Sequence, residues 1–242
     1  MSLKKSTSQY LYAVLVAIAA IALFVFAWSG AVTEKEVAGS FLAILGTFLG
    51  ALFAFRLSEN KEQVKIEKEQ KAALNRAFFV LARQYNAINS LAKHMTPYPS
   101  EFERAFNLAA NKPPSYLDLT HNFQDLEFLL ETAHPNVLMR LTVEQECFHQ
   151  ALEALRIRND FYVNEVQPEL ARQSLNGQMV TVEQMATALG ERIFGTAVNG
   201  ANSLYSHVQE SSKSIPAMHA ELFNVAKELF SDERFIKIQS EA

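Results

Sequence analysis

Two apolar runs open the chain, and a helical rhythm of apolar positions fills the remainder. Tyr10 to Trp28 (YLYAVLVAIAAIALFVFAW) and Val37 to Phe55 (VAGSFLAILGTFLGALFAF) are each 19 residues long and uncharged. At 1.5 Å per residue each reaches roughly 28 Å, about the hydrocarbon thickness of a bilayer. The pattern predicts two spans, at about 10–28 and 37–55, joined by a tight turn near Ser29 to Glu36. A cleaved signal peptide is the competing reading of the first run, since Lys4 and Lys5 precede it. Its length, and the lack of a small-x-small cleavage pattern after it, favour a span.

Beyond the second run the pattern turns polar, then periodic. Glu59 to Lys71 is dense in charge, has no Pro or Gly, and carries the i,i+4 pairs Lys65 with Glu69 and Glu67 with Lys71. A stalk helix over 57–72 follows, continuous with the second span. Leu74, Phe78, Leu81, Tyr85 and Ile88 then recur at spacings of 4, 3, 4 and 3, an apolar seam that needs a packing partner. Pro97 and Pro99 end this helix near His94, because proline lacks the amide donor. Ser100 with Glu103 reads as a capping box opening a short helix to about Ala110. A helix over Asn122 to Thr132 would present Phe123, Leu126, Leu129 and Leu130.

Pro135 opens a long helix, because a first-turn proline forfeits no hydrogen bond. Its seam is Leu138, Leu141, Phe148, Leu152, Leu155, Tyr162 and Val166, with Gln145 and Asn159 at the remaining positions. Polar residues there either fix register or mark where the seam leaves the core. Thr181 with Gln184 caps the next helix, carrying Met185, Leu189, Ile193, Leu204 and Val208. Gly190, Gly195 and Gly200 punctuate it, as a close contact or kink, or as a hinge or partner face. Ser214 with Pro216 starts the last helix, with Met218, Leu222, Val225 and Leu229 inward. The chain thus reads as all-α. A two-span transmembrane hairpin (1–56) precedes a cytoplasmic multi-helix domain (57–242) with a long stalk helix.

Composition supports a folded chain: 49% of residues are apolar and 20% charged, which excludes intrinsic disorder. A single cysteine, Cys147, excludes a disulfide scaffold and a thiolate zinc site. Charge sets orientation. Lys4 and Lys5 precede the first span, Arg56, Lys61, Lys65, Lys68, Lys71 and Arg76 follow the second, and the turn holds only Lys35. Basic residues stay on the cytoplasmic side, so both termini are expected there. The 187 residues from Arg56 carry a net charge of −5, which disfavours broad contact with anionic lipid or nucleic acid.

Candidate chemistry is sparse. Glu-x-x-His occurs at Glu131/His134 and Glu146/His149, a spacing that builds di-iron sites when copies face each other on two helices. Here His134 abuts Pro135 at a break, and two further inward carboxylates would be needed. Cys147 and His149 point different ways on a helix, and Asp118, His121 and Asp125 read as turn and cap residues. No nucleophile elbow, phosphate loop, dinucleotide fingerprint or HExxH is present. No enzyme activity, cofactor, metal site or small-molecule substrate is expected.

The second span carries the most physical content. Gly46, Gly50 and Ala54 extend a G-x-x-x-G, and Gly39, Ala43, Thr47 and Ala51 form an adjoining track of small residues. In lipid, helices associate by close backbone approach, which small residues permit. The track packs either against the first span, where Ala13, Ala17 and Ala20 lie, or against other copies in a homo-oligomer.

The organisation, with GTFLGALFAFRLSENKEQVKIEKEQKAALNRAFFVLARQYNAI leading from the second span into a helical domain, resembles the small two-span membrane effectors of bacterial anti-phage systems, particularly those of retrons. The likeness covers mainly Val37 to Ile88. It implies an inner-membrane, toxin-like effector, held in check by a reverse transcriptase with its RNA and DNA product, that permeabilises the membrane on release. A constitutive membrane-anchored scaffold for a cytosolic complex is the alternative that uses the same residues.

Overall fold

The computed structural model describes Val25 and residues 34–111, 119–175, 177–178 and 180–238. Apart from Val25, the first span lies outside the described residues, as do most of the predicted turn and Asp118. Every regular element among the described residues is helical. The chain divides into two units, Met1–Ile66 and Glu67–Ala242.

In the first unit the described backbone is the N-terminal part of helix α1 (Glu34–Met95). Among the described residues α1 is the one helix long and apolar enough to cross a membrane. Its apolar stretch has a mean hydropathy of 1.5, and none of that stretch is buried.

The second unit holds the rest of α1, then α2 (Glu101–Phe106), a 3-10 helix (Gln124–Glu131) and α3 (Asn136–Phe161). A π-helical turn (Tyr162–Val166), α4 (Gln167–Arg172) and α5 (Val182–Leu229) follow. Its larger core gathers Leu74, Phe78, Leu81 and Ile88 of α1, Leu141 and Phe148 of α3, and Leu204, Val208, Ile215 and Leu222 of α5. A second core joins Phe106, Val166, Leu170, Met185, Leu189 and Ala201. The non-helical tail 230–238 inserts Phe235 beside Phe78 and Phe223, at ring separations of 5.5 and 6.4 Å.

Both capping boxes form. Ser100 Oγ accepts from the Glu103 amide at 3.1 Å while the Glu103 carboxylate accepts from the Ser100 amide at 3.0 Å. Thr181 and Gln184 repeat the arrangement. A cap of this kind contributes about 1 kcal/mol.

The structure departs from the sequence reading in several places, and Leu229, expected inward, is exposed. α2 ends at Phe106, short of Ala110. The segment Gln124–Glu131 is 3-10 rather than α, so Phe123, Leu126 and Leu129 align at three residues per turn. Leu126 and Leu129 are buried while Leu130, one residue out of phase, is exposed. The long seam does not run through one α-helix: the π turn takes over at Tyr162, and Val166 stays buried on the shifted face. No new helix begins at Ser214. α5 continues through Pro216, held by the buried row Leu204, Val208, Ser211, Ile215, Met218 and Leu222. The break falls instead at Gly190, whose φ of 72° and ψ of 160° are nearly exclusive to glycine.

Candidate membrane-packing site

α1 presents the small-residue track along an exposed surface. Gly39, Ala43, Gly46, Thr47, Gly50 and Ala54 are all exposed. A Cβ built on Gly39, Gly46 or Gly50 would meet no described atom within 4 Å. Around the track stand large apolar side chains, Leu42 at 68% exposure and Phe53 at 69% among them. Thr47 Oγ1 donates to the Ala43 carbonyl at 2.9 Å, so its proton is used inside the helix and its oxygen is left as an acceptor.

The stalk seam behaves differently. Leu74, Phe78, Leu81 and Ile88 are fully buried, and Tyr85 packs on the same core half-exposed. These residues are structural members of the second unit's interior. Charges of the seam's flank are paired: Lys71 meets Glu67 at 2.7 Å and Glu233 at 3.5 Å, which holds its pKa above the usual lysine value.

The two polar seam residues of α3 both anchor non-helical chain. Gln145 Oε1 accepts from the His121 amide at 2.7 Å, and Asn159 Nδ2 donates to the Asn111 carbonyl at 2.6 Å. From the opposite side, Gln84 Nε2 of α1 donates to the Leu119 carbonyl at 2.9 Å. Residues 119–121 are thus pinned between α1 and α3. The His121 ring there is buried without a partner on either nitrogen, and burial pulls its pKa down to about 4.

Two buried arginines hold α2 in place. Arg158 Nη2 donates to the carbonyls of Arg104, Ala105 and Leu108, capping the C-terminal end of α2, where unpaired carbonyls collect. Tyr162 adds a hydrogen bond to the Phe106 carbonyl at 3.0 Å. Burial pulls the Arg158 pKa below the usual arginine value, and the carbonyls supply the compensating partners. Arg104 donates to the Pro99 carbonyl at 2.6 Å and to Asn202 Oδ1 at 3.3 Å, and lies 4.1 Å from the Tyr205 ring centre.

No array for catalysis or metal binding assembles among the described residues. No three His, Cys, Asp or Glu side chains converge there on a common point. His134 Nε2 pairs with Glu228 at 2.8 Å instead of sharing a ligand set with Glu131. Glu146 and His149 stay exposed on α3. The Cys147 thiol is half-buried, and burial, followed by Glu144, Glu210 and Glu146, pushes its pKa up, away from the reactive thiolate. Beside the π turn, Ala105, Arg158, Tyr162, Val166 and Gly200 help line a pocket of about 80 Å³. Small-molecule sites run to roughly 300 Å³ and more. No family model, curated protein or solved structure matches the chain.

Nothing in the sequence pattern singled out Arg104, Arg158 or Gln84, and His121, expected at a turn or cap, has its ring in the interior. Arginine and glutamine inside helices ordinarily mark solvated faces. The only available signal was position, since Arg158 sits three residues after Leu155 and four before Tyr162 on the seam side of α3.

Proposed function

We propose that this chain is a membrane-inserted, homo-oligomeric effector whose apolar hairpin acts on the bilayer and whose cytoplasmic helical domain is the part a partner restrains. One observation carries the reading: the apolar stretch of α1 has no buried residue and displays Leu42, Leu49, Leu52 and Phe53 outward. Exposure to water would cost about 25 cal/mol for each Å² of that surface, a cost that lipid removes. The open glycines of the same stretch supply the close approach that helices need in lipid.

Oligomers are required by the output. Ser40 and Thr47 are the only hydroxyl residues in the second run, so one hairpin lacks the polar atoms to line a water path. Resemblance supplies the partner, a reverse transcriptase with its RNA and DNA product, and with it the bacterial inner membrane as the location and anti-phage defence as the role. The acidic domain makes protein the favoured direct contact.

The test is induced expression of the full chain alone, read with a membrane-potential dye. Depolarisation is expected, and co-expression of the restraining partner suppresses it. Gly46→Leu with Gly50→Leu keeps the span apolar, places each new Cβ where no described atom lies within 4 Å, and should insert normally while losing depolarisation and oligomer crosslinks. An inserted parent that leaves the potential untouched replaces this reading with that of a scaffold.

A further inference from the structure

The register of α1 does not stop where its buried seam stops. Counting back from Leu74 by alternating steps of 3 and 4 gives Lys71, Glu67, Val64, Asn60, Leu57, Phe53, Gly50, Gly46, Ala43 and Gly39. The same heptad positions that fill a core in the second unit therefore continue, inside the first unit, as Val64, Leu57 and Phe53 and then the open glycines. There they are bare: Phe53 is 69%, Leu57 57% and Val64 58% exposed. Leu57 and Val64 lie past Arg56, on the watery side of the predicted span, so lipid does not cover them.

We infer that this uncovered stretch of α1, from Phe53 to Val64, pairs in parallel with the same stretch of a second copy, forming a short zipper at the membrane exit. This rests on the membrane-inserted reading. The chain's own first span is the competing occupant, but its apolar run begins at Tyr10, and nine polar-rich residues (MSLKKSTSQ) precede it. An antiparallel hairpin uses that run to match Val37 to Phe55 and leaves no apolar segment for Leu57 and Val64. A second copy inserted in the same orientation presents its own Leu57 and Val64 at the same depth. Leu57 and Val64, seven residues apart, hold one heptad site and Phe53 and Asn60 the other, the 3-4 spacing of a two-helix seam, and Asn60 among them favours one register at some cost in strength.

The flanking charges make the pairing conditional. With Leu57 and Val64 as one class of core site, Arg56 and Lys61 occupy the positions that face each other across a parallel pair, and like charges there repel. Salt screens such exposed charges over about 8 Å at physiological ionic strength. The zipper is thus weak in isolation and strengthens with ionic strength or with anything that neutralises Arg56 and Lys61.

Single cysteines at each position from 56 to 66, in the full-length chain with Cys147→Ser, test this in native membranes under mild oxidation. Dimer crosslinking should peak at 57, 60 and 64, run several-fold lower at 59, 62 and 66, and rise with added salt. Leu57→Glu with Val64→Glu, in a chain with the reporter cysteine at 60, should abolish the crosslink while carbonate-resistant insertion persists. Uniform crosslinking, or peaks on the 59, 62 and 66 face, in a firmly inserted chain overturns the zipper alone. A chain that carbonate washes from the membrane overturns the inserted reading and the zipper with it.

Discussion

His121 shows how a single residue couples this fold to pH. Its ring sits buried and unpartnered beside a backbone held by Gln84 and Gln145, and its pKa is pulled from the ordinary 6.5 down to about 4. Between those values the unfolded chain binds the proton and the folded chain does not. Stability is therefore fully present above about pH 6.5 and is lost progressively as pH falls toward 4, by roughly 3 kcal/mol at most. His219, also lowered by burial and bonded to the Ile236 carbonyl, adds to the same slope. Glu144, raised by burial, opposes it, because the folded state holds that proton more tightly. Unfolding midpoints of the full chain in detergent should fall from pH 7 to pH 4.5, and His121→Gln should flatten the decline. An unchanged slope in that variant removes His121 from the acid response. Nothing in the residue order marks His121 as interior: it follows a threonine and precedes an asparagine, and only the packing of α1 and α3 encloses it.

At the scale of elements, the three glycines of α5 look alike in sequence and differ in structure. Gly190 sits at φ 72° in the break of the helix, whereas Gly195 and Gly200 are helical and meet no close contact. A Cβ at Gly190 is strained by its backbone, so Gly190→Ala should destabilise by about 1–3 kcal/mol. Gly195→Ala removes unfolded-state freedom at an unstrained helical site and should stabilise by up to about 1 kcal/mol. Thermal midpoints moving in opposite directions check the pair; a shift of the same sign in both refutes the assignment of the break to Gly190. Pro216 carries the complementary lesson. Proline in a helix interior costs about 3 kcal/mol, which makes it read as a helix start after Ser214. The row on either side of it, apolar but for Ser211, is buried without interruption, and that packing carries the helix across. The 3-10 segment has the same origin, for Phe123, Leu126 and Leu129 match a three-residue turn as well as a helical one.

For the whole molecule, the expected arrangement is a hairpin in the membrane with both ends in the cytoplasm. Reporter fusions at residues 1, 33 and 242 should place the first and last inside and the middle outside, and an external C-terminal reporter refutes the effector and scaffold readings together. Local chemistry alone determined a good deal of this protein: an apolar run able to span a bilayer, an all-helical habit, both capping boxes, and the inward face of α1 from Leu74 to Ile88. Each follows from interactions within a few turns of chain, namely side-chain spacing, amide capping and the absence of strand alternation. Tertiary structure alone decided where α5 breaks, that α3 passes into a π turn, and that Arg104, Arg158, Gln84 and His121 lie inside. Those outcomes depend on which backbone groups from distant segments are left without partners. Arg158 is interior because the carbonyls of Arg104, Ala105 and Leu108, some fifty residues earlier, need donors once water is excluded, and no local pattern around residue 158 contains that requirement.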